Sequence, residues 1–134
     1  MPMSVKITRV EGGVFRAEAD GFEVLSGRVD DESELTGMSP GRLMVVSLGL
    51  CSAFHAASYL RRQKIAAAGL TLEVETKNAV NPSRASEFRI TIDVGVELDG
   101  KKLEGLMEEV GHCYVGNTMR NAPKIRYEVR VKPY

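Results

Sequence analysis

The two cysteines of this 134-residue chain each lie beside a histidine. His55 follows Cys51 by four residues, which places both side chains on one face of a helix, and His112 directly precedes Cys113. Two sulfurs and two imidazoles could serve as a thiol redox pair or as a tetrahedral zinc site. They could also simply fill a core, because cysteine is among the most buried residue types. Spacing alone leaves these alternatives open.

Composition points to an ordinary globular protein, with 43% hydrophobic and 27% charged residues. The length fits one domain over residues 1–134. Basic and acidic residues number 18 each, so charge gives no reason to expect nucleic acid or a membrane as partner. The N-terminal sequence MPMSVKITRV lacks the apolar run of a secretory signal. Two cysteines without a signal predict reduced thiols and a cytoplasmic location.

Residues 43–60 form a stretch of 18 residues without a formal charge. That length meets the lower bound for a helix that spans a membrane. Serines, a glycine, a cysteine and a histidine dilute the stretch, and no second one resembles it. We therefore expect a central helix that is enclosed by protein.

Patterns along the chain predict an α+β fold. Alternating apolar residues predict strands over 4–10, 14–18, 22–26, 70–76, 88–98 and 125–131. Ser39 and Pro40 form a helix start, and this long helix should run to about Gln63. Helical spacing predicts a second helix over 101–112, with Glu108 and Glu109 on its solvated face, and a short helical turn through 113–120. The predicted order is βββ-α-ββ-α-β, with antiparallel sheets packed on the long central helix.

Two segments resemble the OsmC/Ohr family. The sequence SPGRLMVVSLGLC, which ends at Cys51, is similar to the segment that enters the central helix of that family, with a proline eleven residues before the first cysteine. The sequence CYVGNTM, which begins at Cys113, resembles the second cysteine motif of the family. The predicted element order also agrees with this family over nearly the whole chain.

This resemblance implies a thiol peroxidase that reduces organic hydroperoxides and forms an intertwined homodimer. Cys51 would match the attacking cysteine, and Cys113 would match the resolving cysteine that forms a disulfide with it. An external dithiol would then restore both thiols. No metal and no organic cofactor would be needed.

A buried thiol needs a nearby cation, because burial alone raises its pKa and makes it inert. In the resembled family an arginine provides this charge. Arg28 is the best match to it, Arg16 the second and Arg9 the third. His55 is a further supporting candidate, since it lies one helical turn from Cys51.

The sequence departs from the family where a glutamate orients this arginine, because Gly41 and Arg42 occupy those positions. Arg42 lies nine residues before Cys51, which in a helix means ~13 Å along the axis and the opposite face. It could serve the site only from a bent helix start or from a partner chain. This departure favours the alternative function, a non-catalytic OsmC-fold module that binds a small apolar ligand or a partner at the dimer groove.

Overall fold

The computed structural model describes residues 2–132. It divides into two compact units, with the boundary between Ser47 and Leu48. The architecture is α+β with antiparallel sheets, which confirms the predicted fold class. The expectation of one domain over 1–134 stays a prediction.

The first unit contains a three-stranded antiparallel sheet. Its strands are β1 (Lys6–Glu11), β2 (Gly13–Ala19) and β3 (Phe22–Arg28), paired in the order β1-β2-β3. Asp20 and Gly21 both have positive φ angles, 52° and 82°. Such angles at both central residues are those of the tight hairpin turn that matches the twist of paired strands. The strands predicted over 4–10, 14–18 and 22–26 therefore form two consecutive antiparallel hairpins.

Helix α1 (Pro40–Arg62) begins at the predicted proline. The hydroxyl of Ser39 accepts the backbone N–H of Arg42 at 3.3 Å, which caps one of the free donors of the first turn. Arg61 and Arg62 lie in the last turn, where the helix dipole favours positive charge. By length and composition alone this helix could span a membrane, a property that it shares with the core helices of soluble proteins.

The second unit contains a long antiparallel hairpin of β4 (Thr71–Ala79) and β5 (Arg84–Asp93). The prediction of a strand over 88–98 is wrong at both ends. The strand starts earlier, because residues 84–87 pair back onto β4. It stops at Asp93, whose carboxylate accepts the N–H of Gly95 at 3.1 Å, and Gly95 takes a φ of 77° that ends the extended backbone.

Two further helices follow the hairpin. In α2 (Gly100–Val110) the side chain of Asp99 caps the first turn by accepting the N–H of Lys102 at 2.8 Å. This helix ends at Val110, with Gly111 as its C-cap, slightly before the predicted end. The predicted helical turn near Cys113 is a short helix, α3 (Tyr114–Arg120).

The prediction of a final strand over 125–131 is wrong for the single chain. Residues 121–132 pair with no strand in the described part of the protein. The alternating apolar residues that suggested the strand are 72–92% exposed, namely Ile125, Tyr127, Val129 and Val131. The segment has the alternating pattern of a strand, but within the described residues no other strand pairs with it and no apolar surface covers its side chains.

The core of the second unit forms where α1 packs on α2. Ala56, Tyr59 and Leu60 of α1 and Leu106 of α2 are buried together. The hydroxyl of Tyr59 donates a hydrogen bond to the backbone carbonyl of Lys102 at 2.9 Å. Gly105 of α2 lies directly under the Tyr59 ring, since a Cβ at this position would collide with the ring and its hydroxyl.

We predict that Gly105→Ala destabilises the protein, because the added methyl group must displace a buried aromatic side chain. Overpacking of this kind costs about 1–3 kcal/mol in the free energy of unfolding, which urea denaturation measures. Gly100→Ala is the matched control, since nothing lies within 4 Å of its Cβ position. Equal stability of the two variants would contradict the close contact of Tyr59 with α2.

Candidate active site

Helix α1 runs antiparallel to the segment formed by α2 and the start of α3. Their contacts form three successive pairs, namely Tyr59 with Gly105, His55 with Glu109, and Cys51 with Cys113. Each step is four residues, which is about one helical turn. Antiparallel packing of α1 on α2, continued to the start of α3, therefore brings the two cysteines together, although 61 residues separate them in the sequence.

Cys113 occupies the N-cap position of α3. Its side chain is almost fully buried, with 1% exposure, and its Sγ accepts the backbone N–H of Gly116 at 3.1 Å. Burial raises the pKa of the Cys113 thiol above its usual value, and a hydrogen bond with Cys51 adds to this. The N–H of Gly116 and the hydroxyl of Ser52 act in the opposite direction. The net effect is a raised pKa, which favours the neutral thiol form of Cys113.

Cys51 lies on α1 and is only half-buried, so it is the more accessible of the two thiols. Both cysteines are free. The structure thus places an accessible thiol in contact with a buried one. That arrangement suits a reaction in which the sulfur of Cys51 reacts with a reagent from solvent and the sulfur of Cys113 then reacts with the modified Cys51.

One helical turn from the two cysteines, the carboxylate of Glu109 lies between two basic side chains. The carboxylate of Glu109 lies 3.6 Å from His55 Nδ1 and 3.0 Å from Arg62 Nη2. The hydrogen bond from Arg62 holds the pKa of Glu109 below its ordinary value, and the neighbouring His55 lowers it further. Arg62 is itself held on α1 by donating to the hydroxyl of Ser58 at 2.8 Å.

Glu109 was expected on the solvated face of its helix, and that expectation is wrong. Its side chain is 28% exposed because it faces α1, while Glu108 is exposed as predicted. A signal was present in the sequence: the spacing of Glu109 to Cys113 mirrors the spacing of Cys51 to His55. Ser52, a buried hydroxyl beside Cys113, was also missed.

The arginine candidates lie in the first unit. Arg28 is the exposed last residue of β3, and Arg42 is exposed in the first turn of α1. Arg16 is paired within its own sheet, 3.0 Å from the carboxylate of Glu18. Arg9 donates from Nε to the carbonyl of Gly12 at 2.9 Å. Their roles stay predictions.

The zinc alternative is not assembled in the single chain. Among residues 2–132 no three histidine, cysteine, aspartate or glutamate side chains converge as they would around a metal ion. His112 is exposed at the end of α2, whereas His55 is engaged with Glu109.

The α+β fold with a long helix and antiparallel sheets is also that of a solved OsmC-like structure. The model of the family described as OsmC-like protein matches residues 30–128. The chain therefore belongs to the OsmC-like family. No curated protein matches it significantly.

Solved structures with the same fold come from several bacteria. An osmotic stress induced and detoxification response protein from Psychrobacter arcticus is 27% identical with a TM-score of 0.75, over 88% of this chain and 89% of that one. An OsmC-like protein from Mycoplasma pneumoniae is 15% identical with a TM-score of 0.76, over 91% and 89%. The organic hydroperoxide resistance protein OhrB of Bacillus subtilis is 15% identical with a TM-score of 0.55, over 89% and 92%.

We predict that iodoacetamide modifies Cys51 before Cys113. Thiolate is the reacting form, and the raised pKa of Cys113 leaves less of it ionised at pH 8, while burial also blocks the reagent. Peptide mass spectrometry of timed samples measures both rates. Urea-unfolded protein is the control, in which the two cysteines should react alike. Faster labelling of Cys113 in the folded protein would contradict this description of the pair.

Proposed function

We propose that this chain is a cysteine-based thiol peroxidase that reduces organic hydroperoxides. In the broader sense this is a redox role in stress defence, and membership of the OsmC-like family supports it together with structural neighbours called redox or hydroperoxide resistance proteins. The observation that carries the proposal is the contact between an accessible free Cys51 and a buried free Cys113.

In the proposed reaction the Cys51 thiolate attacks the terminal oxygen of the hydroperoxide. The S–O bond forms as the O–O bond breaks, and the alcohol leaves after taking up a proton. Cys51 is then a sulfenic acid, which condenses with the thiol of Cys113 to give a disulfide and water. The peroxide is reduced by two electrons and the two cysteines are oxidised by two.

An external dithiol returns the pair to its starting state by thiol–disulfide exchange. Its thiolate needs access to one of the two sulfurs. Cys51 is the half-buried member, so we assign the attack to its sulfur, whereas Cys113 is shielded. The cycle requires no metal and no organic cofactor.

A cation near Cys51 completes the proposal, because positive charge favours the thiolate. We retain Arg28 as the first candidate among the arginines. Arg16 is a weaker one, since Glu18 already neutralises it at 3.0 Å. Arg42 follows, as it lies on the face of α1 opposite Cys51.

We also propose that the protein acts as a homodimer. The segment 125–131 carries an alternating set of apolar side chains that are almost fully exposed in the single chain. Isolated exposed apolar residues are normal, but a contiguous set typically marks an interface. Pairing with a second copy would satisfy both the backbone and the apolar side chains of this segment.

A second candidate function is an OsmC-fold module that binds a small apolar ligand or a partner without chemistry. One observation favours it: a cavity of about 370 Å³ in the first unit, within the usual size range of ligand pockets. Its lining is largely apolar and includes Ile7, Phe15, Ala17, Val24 and Leu43. In this case the cysteines would only fill space.

We predict that Cys51→Ser abolishes reduction of cumene hydroperoxide, with a loss of at least about a thousandfold, since it removes the nucleophile. Cys113→Ser should still consume one equivalent of peroxide and accumulate a sulfenic acid on Cys51, which dimedone labelling detects. Full turnover by Cys51→Ser, or no turnover by the unaltered protein, would reject the peroxidase and leave the binding module.

We predict that Val129→Asp weakens self-association, because it places a charge in the middle of the apolar face of residues 125–131. Analytical ultracentrifugation over a range of concentrations measures the shift from dimer to monomer. Arg126→Asp is the matched control, since residue 126 lies on the other face of an extended segment. A monomer in the unaltered protein, or a dimer insensitive to Val129→Asp, would reject this interface.

A further inference from the structure

The pair formed by His55 and Glu109 lies one helical turn from the two thiols. His55 and Cys51 are four residues apart on α1, a spacing that brings their Cβ atoms to about 6 Å. Glu109 is four residues before Cys113 on the opposing segment. On that face of α1, the imidazole of His55 is therefore the next titratable side chain after Cys51.

Two contacts restrict the imidazole and its partner. Nδ1 of His55 is directed at the Glu109 carboxylate, 3.6 Å away, which leaves Nε2 for another partner. The same carboxylate oxygen lies 3.0 Å from Arg62 Nη2, and Arg62 is braced by Ser58. The carboxylate is thus fixed between α2 and the end of α1.

Glu109 has the properties of a group that orients a base. Its pKa is lowered, first by the hydrogen bond from Arg62, so it is a carboxylate wherever a histidine changes its charge. At 3.6 Å the contact is electrostatic. A carboxylate that faces Nδ1 of a histidine favours the tautomer that carries its proton on Nδ1, which leaves Nε2 free to accept a proton. A nucleophile, a base and a group that orients the base are the parts of an activated thiol.

We propose that His55 accepts the proton of Cys51 and that Glu109 is the positioning residue that orients His55, an inference that rests on the proposed peroxidase function. The charged group that faces the His55 imidazole is Glu109 of α2. Arg62 of α1 contacts the same carboxylate. Cys51, one helical turn from His55, is the thiol that gives up its proton.

With His55 as the base, every proton in the reaction has a donor and an acceptor. The Cys51 thiol gives its proton to Nε2 of His55 and becomes the thiolate. When the thiolate takes the terminal oxygen of the hydroperoxide, the O–O bond breaks and leaves an alkoxide. The imidazolium returns the proton to that alkoxide, which departs as the alcohol. His55 is neutral again before the sulfenic acid condenses with Cys113 and releases water.

The first test is the rate constant for single-turnover reduction of cumene hydroperoxide by His55→Gln. General acid–base groups contribute about 10²–10⁴-fold, so we expect a loss of at least about a hundredfold. Glu109→Gln should lose less, because it removes the negative charge that faces Nδ1 while it keeps the size of the side chain. Glu108→Gln, an exposed carboxylate on the same helix, is the control and should match the unaltered protein.

The second test does not depend on peroxide. The rate at which iodoacetamide alkylates Cys51, measured against pH, should inflect at higher pH in His55→Gln and Glu109→Gln than in the unaltered protein or Glu108→Gln. Circular dichroism confirms that each variant is folded. A protein that consumes no peroxide but shows this displaced inflection rejects the peroxidase and keeps the His55 assignment. A folded His55→Gln whose alkylation profile is unchanged overturns the assignment, whatever the peroxide assay gives.

Discussion

The contact of Tyr59 with α2 sets the geometry of the second unit. Gly105 provides the space for the aromatic ring, and the carbonyl of Lys102 receives its hydroxyl, so α1 cannot slide along α2 without losing both. An α-helix is stiff and advances 1.5 Å per residue. Fixing one contact therefore fixes those one and two turns further along, which are His55 with Glu109 and Cys51 with Cys113.

The two thiols have different surroundings although they are neighbours. Cys113 is enclosed, accepts the N–H of Gly116 and has a raised pKa, while Cys51 is half-open to solvent. A pair of equivalent thiols could react in either order. Here burial assigns the order, because a reagent from solvent reaches Cys51 first. The polar neighbours of Cys113 also satisfy a buried sulfur that apolar packing alone would leave without partners.

Local signals in the sequence predicted the elements that have local causes. Pro40 after a serine marks a helix start whatever the rest of the chain does. The fold class followed from the strand and helix patterns along the chain, and the family followed from the motifs around the two cysteines. Glu109 was misplaced because periodicity says which residues share a face but not which element covers that face. Segment 125–131 was assigned to a strand because its pattern is correct, but pairing is a property of two segments and no described one receives it.

The position of Cys113 as a helix cap links the chemistry of its sulfur to the backbone. A sulfur bonded to a second sulfur must turn toward its covalent partner, which takes it away from the N–H that it caps. If the two cysteines join, the N–H of Gly116 loses its acceptor and the first turn of α3 becomes the weakest part of that short helix. Amide exchange at the start of α3 would then report the oxidation state of the protein.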